Sequence, residues 1–285
     1  MHPSTRPPRV VVGTDFSPGA ENAVRRAIDV VRDNGAELHV VHAAPRVPRA
    51  IARAFLDATG DVTPSQREAL DRVVAASRER GVEAKPHLVP GAAVQVLTHV
   101  ARAVRAGLVV VGARRRVMPD AVVGSTAERV ATSARVPVLI VRKPAGRPYR
   151  KVIVAADLDS KLGASVEAAR FVAPSAQLSV LHAFEGTHET ALMLHGATRE
   201  SLRRYRADAR REARAKMTAK LERAGLDSSV LRLRHGRAER VLESENMKDD
   251  VLLVLQRGRS VLRRVFLGSV SRWVIARGTS DVLLV

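Results

Sequence analysis

Two aspartates and two Gly-Ser pairs are the residues of this chain best placed to do chemistry. Asp15 closes the apolar run RVVVGTD, and Asp157 closes RKVIVAAD. In an open parallel sheet, ligands bind beyond the carboxyl ends of the strands. A carboxylate there can hold a ribose hydroxyl or a metal ion. It can equally serve as a turn or helix-capping residue. Further on, VVVGARRRVMPDAVVGSTAERV and VLLVLQRGRSVLRRVFLGSVSRWV share one plan: an apolar strand, a basic loop, then Gly-Ser entering a helix. A helix start presents unpaired N–H groups and partial positive charge, which suits an anion. Arg114–Arg116 in one copy, and Arg257 with Arg259 in the other, add guanidinium groups that fit phosphate. Gly-Ser in either copy also reads as a plain helix cap; its recurrence favours a phosphate cradle. His42 and His182 each end the second strand of their copy, a placement that is usually structural.

Other chemistries lack their signatures. There is no G-x-G-x-x-G, no G-x-x-x-x-G-K-[ST], no G-x-S-x-G and no HExxH or His pair at ligand spacing. With no cysteine in the chain, disulfides and thiolate chemistry are excluded. No catalytic base or nucleophile stands out, which predicts a protein that is not an enzyme.

The paired features follow from a duplication. Asp15 to Asp157, His42 to His182, Gly91 to Gly236 and Gly124 to Gly268 are separated by 142, 140, 145 and 144 residues. Such a small drift marks two copies of one domain-sized unit. In the first copy, apolar runs at Val10–Val12, Leu38–Val41, Ala84–Val89, Leu108–Val111 and Val136–Val141 predict strands. Residues at helical spacing separate them. The second copy repeats this with Val152–Ala155, Gln177–His182, Val230–Arg234, Val251–Leu255 and Val282–Val285. Continuous apolar strands alternating with helices predict an α/β fold with doubly wound, open, parallel five-stranded sheets. A long helix near Arg199–Arg223 carries a narrow stripe of Leu202, Tyr205, Ala209, Ala213, Met217 and Leu221, read as core contact. Lys143–Pro148 reads as the linker, placing the domains at 1–145 and 146–285.

Composition bounds the partners. Of 48 basic residues 41 are arginine, and the net charge is +19. This charge would attract nucleic acid, anionic lipid or phosphate-bearing ligands. The arginines are scattered without interleaved aromatics, so solvated faces are the plainer reading and nucleic acid is the weaker alternative. The N-terminus, MHPSTRPPR, has no apolar signal region, and no run of 18 apolar residues occurs. These features predict a cytoplasmic protein without a membrane segment.

Taken together, VVVGTDFSPGAENAVRRA, ELHVVHAAP, the two basic loops and VIVAADLDSKLGASVEAA with LSVLHAF resemble the universal stress protein family, as a tandem pair. The resemblance implies an adenine nucleotide alpha hydrolase-like fold in each half. It also implies ATP held by a loop of the form G-x2-G-x9-G-[ST], with magnesium entering only with the nucleotide. Carried onto this chain, the nucleotide-binding residues are Asp15, Ala43, Gly112, Arg115, Gly124, Ser125 and Thr126 in the first half. In the second they are Asp157, Ala183, Gly258, Gly268 and Ser269. Both loops depart from the pattern. Arg115 stands at the second glycine, with eight residues rather than nine before Gly124; in the second loop Leu255 stands at the first glycine. The implied function is a stress-responsive regulatory or protective module that binds ATP or a related nucleotide in at least one half. The alternative is a nucleotide-free scaffold acting through protein partners. The resemblance also implies pairing of the two last strands within the chain, and leaves homodimerisation open.

Overall fold

Local sequence sets the first elements. Ser17 caps helix α1 (Pro18–Asn34) by accepting a hydrogen bond from Ala20 N, and Pro18 fits the first helical turn. Gly35 ends the helix at φ 58°, a left-handed conformation that glycine adopts without strain. Thr63 and Gln66 form a reciprocal capping box at the start of α2 (Pro64–Arg78). The strand runs β1 (Arg9–Gly13) and β4 (Leu108–Gly112) are apolar along almost their whole length, and β2 (Glu37–Ala44) is apolar apart from Glu37, His39 and His42. Their side chains are covered on both faces; Val10, Val11 and Val12 are fully buried.

The structure is a computed structural model and describes residues 7–44, 63–113, 126–159, 162–186, 188–245, 250–257 and 267–285. The chain divides into two compact units. The first runs to Pro148 and takes in Asp281–Leu284 near the end of the chain; the second begins at Tyr149. In the first unit, β3 (Ala84–Pro90), β2, β1, β4 and β5 (Val138–Val141) lie side by side in that order, all parallel. Helices α3 (Ala93–Ala103) and α4 (Thr126–Ser133) precede β4 and β5. Strand order reverses between β1 and β4, which opens a crevice at their carboxyl ends. Strand β10 (Asp281–Leu284) runs antiparallel against β5, with Leu283 opposite Leu139. The last strands therefore pair as the resemblance implied, and this pairing draws β10 into the first unit.

Asp281 opens β10 and is fully buried. Its Oδ1 accepts hydrogen bonds from Arg142 N at 2.7 Å and Lys143 N at 2.9 Å, and its Oδ2 lies 3.8 Å from Arg26 Nε. Arg26, itself buried on α1, also donates from Nη1 to Arg147 O at 3.0 Å.

The second unit has β9 (Val251–Leu255), β6 (Lys151–Ala155), β7 (Gln177–Phe184) and β8 (Leu231–His235) in that order, again parallel. Helix α5 (Leu162–Val172) follows β6, and α6 (Glu189–Leu194) and α7 (Arg199–Arg223) follow β7. Helices α8 (Ala238–Glu245) and α9 (Ser269–Arg277) precede β9 and β10. Of the predicted stripe on α7, Ala213, Met217 and Leu221 are buried, while Leu202, Tyr205 and Ala209 are half-exposed. The first half of α7 is held differently: Tyr205 Oη accepts from His188 N at 3.0 Å, and Arg206 Nε donates to Glu189 Oε1 at 2.7 Å. His235 Nε2 closes the cluster at 2.7 Å from Glu189 Oε2. Burial alone would raise the Glu189 pKa, but the bonds from Arg206 and His235 outweigh it and hold the carboxyl below its usual range. Among the described residues, no helix is long and apolar enough to cross a membrane.

Candidate functional site

The Asp15 loop is fixed by the strand beside it. Thr14 N donates to Val41 O at 2.9 Å, which extends the β1–β2 ladder by one bond. His42 Nδ1 lies 2.9 Å from Thr14 O. A carbonyl only accepts, so this contact places the proton on Nδ1. The ring of Phe16 stacks on His42 at 4.4 Å, and Phe16 adopts φ 60°. A non-glycine residue in this conformation needs outside support; the stacking and the bond from Phe16 N to Thr14 Oγ1 at 3.0 Å supply it. Asp15 then points outward. Its Oδ1 accepts from Ser17 N at 3.1 Å, and the carboxylate is otherwise exposed above the start of α1.

The second unit builds the same loop. Ala156 N donates to Leu181 O at 2.9 Å, His182 Nδ1 lies 2.8 Å from Ala156 O, and Asp159 N donates to Asp157 Oδ1 at 2.9 Å. The paired histidines thus hold the backbone before each aspartate. They are positioning groups, in agreement with the structural reading of their placement.

Gly112 ends β4 where it meets the start of α1. A Cβ on Gly112 would lie 2.6 Å from the carbonyl carbon of Gly19 and 2.9 Å from Ala20 N, both rigid backbone. Gly19 answers in kind, since its own Cβ would lie 3.0 Å from Ala113 O. Gly19 was absent from the sequence-derived site; the signal for it was its place in Ser17-Pro18-Gly19, directly at the helix start. Asp15, Ala43, Gly112 and Thr126 all line one cavity of about 1820 Å³ at the β1–β4 crevice. Arg115, Gly124 and Ser125 lie outside the described residues, as does Gly258 in the second half.

Backbone bonding corrects the alignment of the two loops. Ala113 N donates to Val141 O at 2.8 Å, and Arg257 N donates to Val285 O at 3.0 Å. These equivalent bonds make Ala113 the counterpart of Arg257, so Gly112 corresponds to Gln256, and Leu255 to Val111. Leu255 is a buried strand residue rather than the replacement for the loop glycine. The loop motif misled because it was counted back from Gly258 instead of from the strand. Gln256 is anchored at both ends: Nε2 donates to Ser165 Oγ on α5 at 3.0 Å, and its carbonyl accepts from Ser271 Oγ at 2.9 Å. The second unit therefore places a side chain against its first helix where the first unit has bare backbone. Gly268 is the N-cap of α9, and Ser269 is its first helical residue. Asp157 and Ala183 stand at the ends of β6 and β7, matching their first-half partners. Burial lowers the Arg257 pKa; it lowers that of Arg142, at the end of β5, to about 10, against the opposing pull of Asp281. Among the described residues no group of three or more His, Asp or Glu side chains forms a metal site.

A family model of the universal stress protein family matches residues 8–142 and again 148–285. The chain belongs to the universal stress protein family. It is 28% identical over 140 residues to Universal stress protein MJ0531 of Methanocaldococcus jannaschii, covering 48% of this chain and 82% of that one. A universal stress protein from Archaeoglobus fulgidus has the same fold, with a TM-score of 0.67 at 17% identity over 97% of both chains. A single-domain-length relative, a universal stress protein in complex with cAMP, is 28% identical; the match covers 47% of this chain and 96% of that one, with a TM-score of 0.40. As a universal stress protein, the chain carries two family domains in tandem, and their loops have diverged at the position of Gly112 and Gln256.

Proposed function

We propose that the first half binds an adenine nucleotide and that the protein works as a stress-responsive regulatory or protective module rather than an enzyme. The observation that supports this most is the convergence of Asp15, Ala43, Gly112 and Thr126 on one cavity. The exposed carboxylate of Asp15 suits a pair of ribose hydroxyls. Gly112 and Gly19 keep the backbone clear where phosphate must approach. The start of α1 offers the Gly19 N–H, and α1 and α4 both turn the positive ends of their helix dipoles towards the site. Magnesium enters on the phosphates, since the described residues supply no carboxylate cluster for it. In this reading the second half has exchanged its phosphate cradle for the Gln256–Ser165 contact. It acts as a nucleotide-free partner domain, in the cytoplasm.

Equilibrium dialysis with ATP and magnesium tests the assignment. Asp15→Ala is expected to weaken binding by about tenfold, the value of one lost charge-assisted pair of hydrogen bonds. Asp157→Ala is expected to leave binding unchanged. Loss of binding in the Asp157 variant alone, or no binding by the unmodified protein, would sink the reading.

A further inference from the structure

The cavity beside Asp15 exceeds what a mononucleotide fills. At about 1820 Å³ it is larger than the roughly 300–1,000 Å³ of most small-ligand sites. Asp15 is the sole carboxylate among the described lining residues, against four lining arginines. Arg142 follows β5 at the carboxyl ends of the strands, whereas Arg102 and Arg105 flank Val104, whose carbonyl accepts from Arg9 Nη1 at the amino end of β1. Helix α3 gives the scale. Leu97 packs against Gly13, whose Cβ would lie 2.9 Å from Leu97 Cδ1, so Leu97 marks the level of the end of β1. At 1.5 Å per residue, Arg102 lies about 7.5 Å beyond that level, and Arg105 follows the end of the helix at Ala103. Arg135 follows the end of α4 and completes the cluster. The small side chains of Ala101, Ala106 and Ala134 line the wall next to these arginines. Among the described residues none of the three guanidinium groups has a hydrogen-bond or ion-pair partner. Arg105 is held at φ 53°, a left-handed backbone that a non-glycine residue adopts at a cost.

We propose that this cavity takes an adenine nucleotide whose phosphate chain continues along the groove between α3 and α4, as in a dinucleoside polyphosphate. Arg102, Arg105 and Arg135 grip the distal phosphates. The proposal rests on the nucleotide reading above, and its test separates the two. The unmodified protein and the Arg102→Ala/Arg105→Ala variant are titrated calorimetrically with ATP and with diadenosine tetraphosphate, both with magnesium at one ionic strength. The tetraphosphate is expected to bind at least about tenfold tighter than ATP. The double variant loses that gain and keeps its ATP affinity. A charge-matched control, Arg67→Ala/Arg72→Ala on α2, keeps the gain. Equal affinities for the two ligands overturn the proposal, as does a loss of the gain in the control or a double variant that weakens both ligands alike. Absence of ATP binding instead overturns the nucleotide reading on which it stands.

Discussion

Gly112→Ala is expected to weaken nucleotide binding by about a hundredfold and to lower the stability of the first unit. The added Cβ would sit 2.6 Å from the Gly19 carbonyl carbon and 2.9 Å from Ala20 N. Neither atom belongs to a flexible side chain, so the start of α1 must shift as a whole. Helix α1 carries eight buried residues, and a shift of its first turn disturbs that packing. Overpacking of a well-filled site costs about 1–3 kcal/mol, which a denaturant titration resolves. The binding loss follows because the displaced turn carries Ser17, which holds Asp15 through its backbone N–H. The same turn presents the Gly19 N–H and the positive end of the helix dipole to phosphate. Gln256→Ala is the matched change in the second half. It removes a hydrogen bond to Ser165, and is expected to leave nucleotide affinity intact. Normal ATP binding by Gly112→Ala would show that the Gly112–Gly19 approach does not shape the site.

Asp281→Ala is expected to destabilise the protein by about 3–5 kcal/mol, the usual cost of removing one partner from a buried ion pair. The carboxylate is fully buried and serves three groups: Arg142 N, Lys143 N and the Arg26 guanidinium. Alanine leaves two backbone N–H groups without this acceptor. It also takes the Asp281 carboxylate from Arg26, nearly as buried, which lies 4.0 Å from Asp29. Asp281→Asn keeps an oxygen for the two N–H groups and removes only the charge, so it is expected to cost less than half as much. Urea midpoints at neutral pH measure both. Equal losses for the two variants would put the effect on charge alone; a loss under about 1 kcal/mol for alanine would contradict the buried-clasp account.

The strands and the two aspartate loops were legible because their causes are local. Continuous apolar runs such as Val10–Val12 and Leu252–Val254 have few other uses, and Ser17-Pro18 with Asn34-Gly35 announces a helix at both ends. The grouping of Ala43 and Thr126 with Asp15 and Gly112 came residue by residue from the resemblance, and the strand order brings them to one cavity. What escaped the sequence depends on pairing between distant segments. The first loop glycine was placed at Leu255, one residue before Gln256, because a glycine motif carries no register, whereas the bonds to Val141 and Val285 do. Asp281 reads as an ordinary polar residue before a strand; its burial follows from the antiparallel pairing of β10 with β5. The exposed first half of α7 escaped as well. A three-four spacing shows which face packs but not how far along the helix the packing extends, and the buried residues start only at Ala213.

The central claim is that duplication has left one nucleotide site rather than two. The stoichiometry of ATP binding to the intact chain, measured by calorimetry with magnesium present, tests it most directly. The account predicts about one nucleotide per chain, with that single site lost in Gly112→Ala and kept in Gln256→Ala. Two equivalent sites per chain, or one site that survives Gly112→Ala, would contradict it.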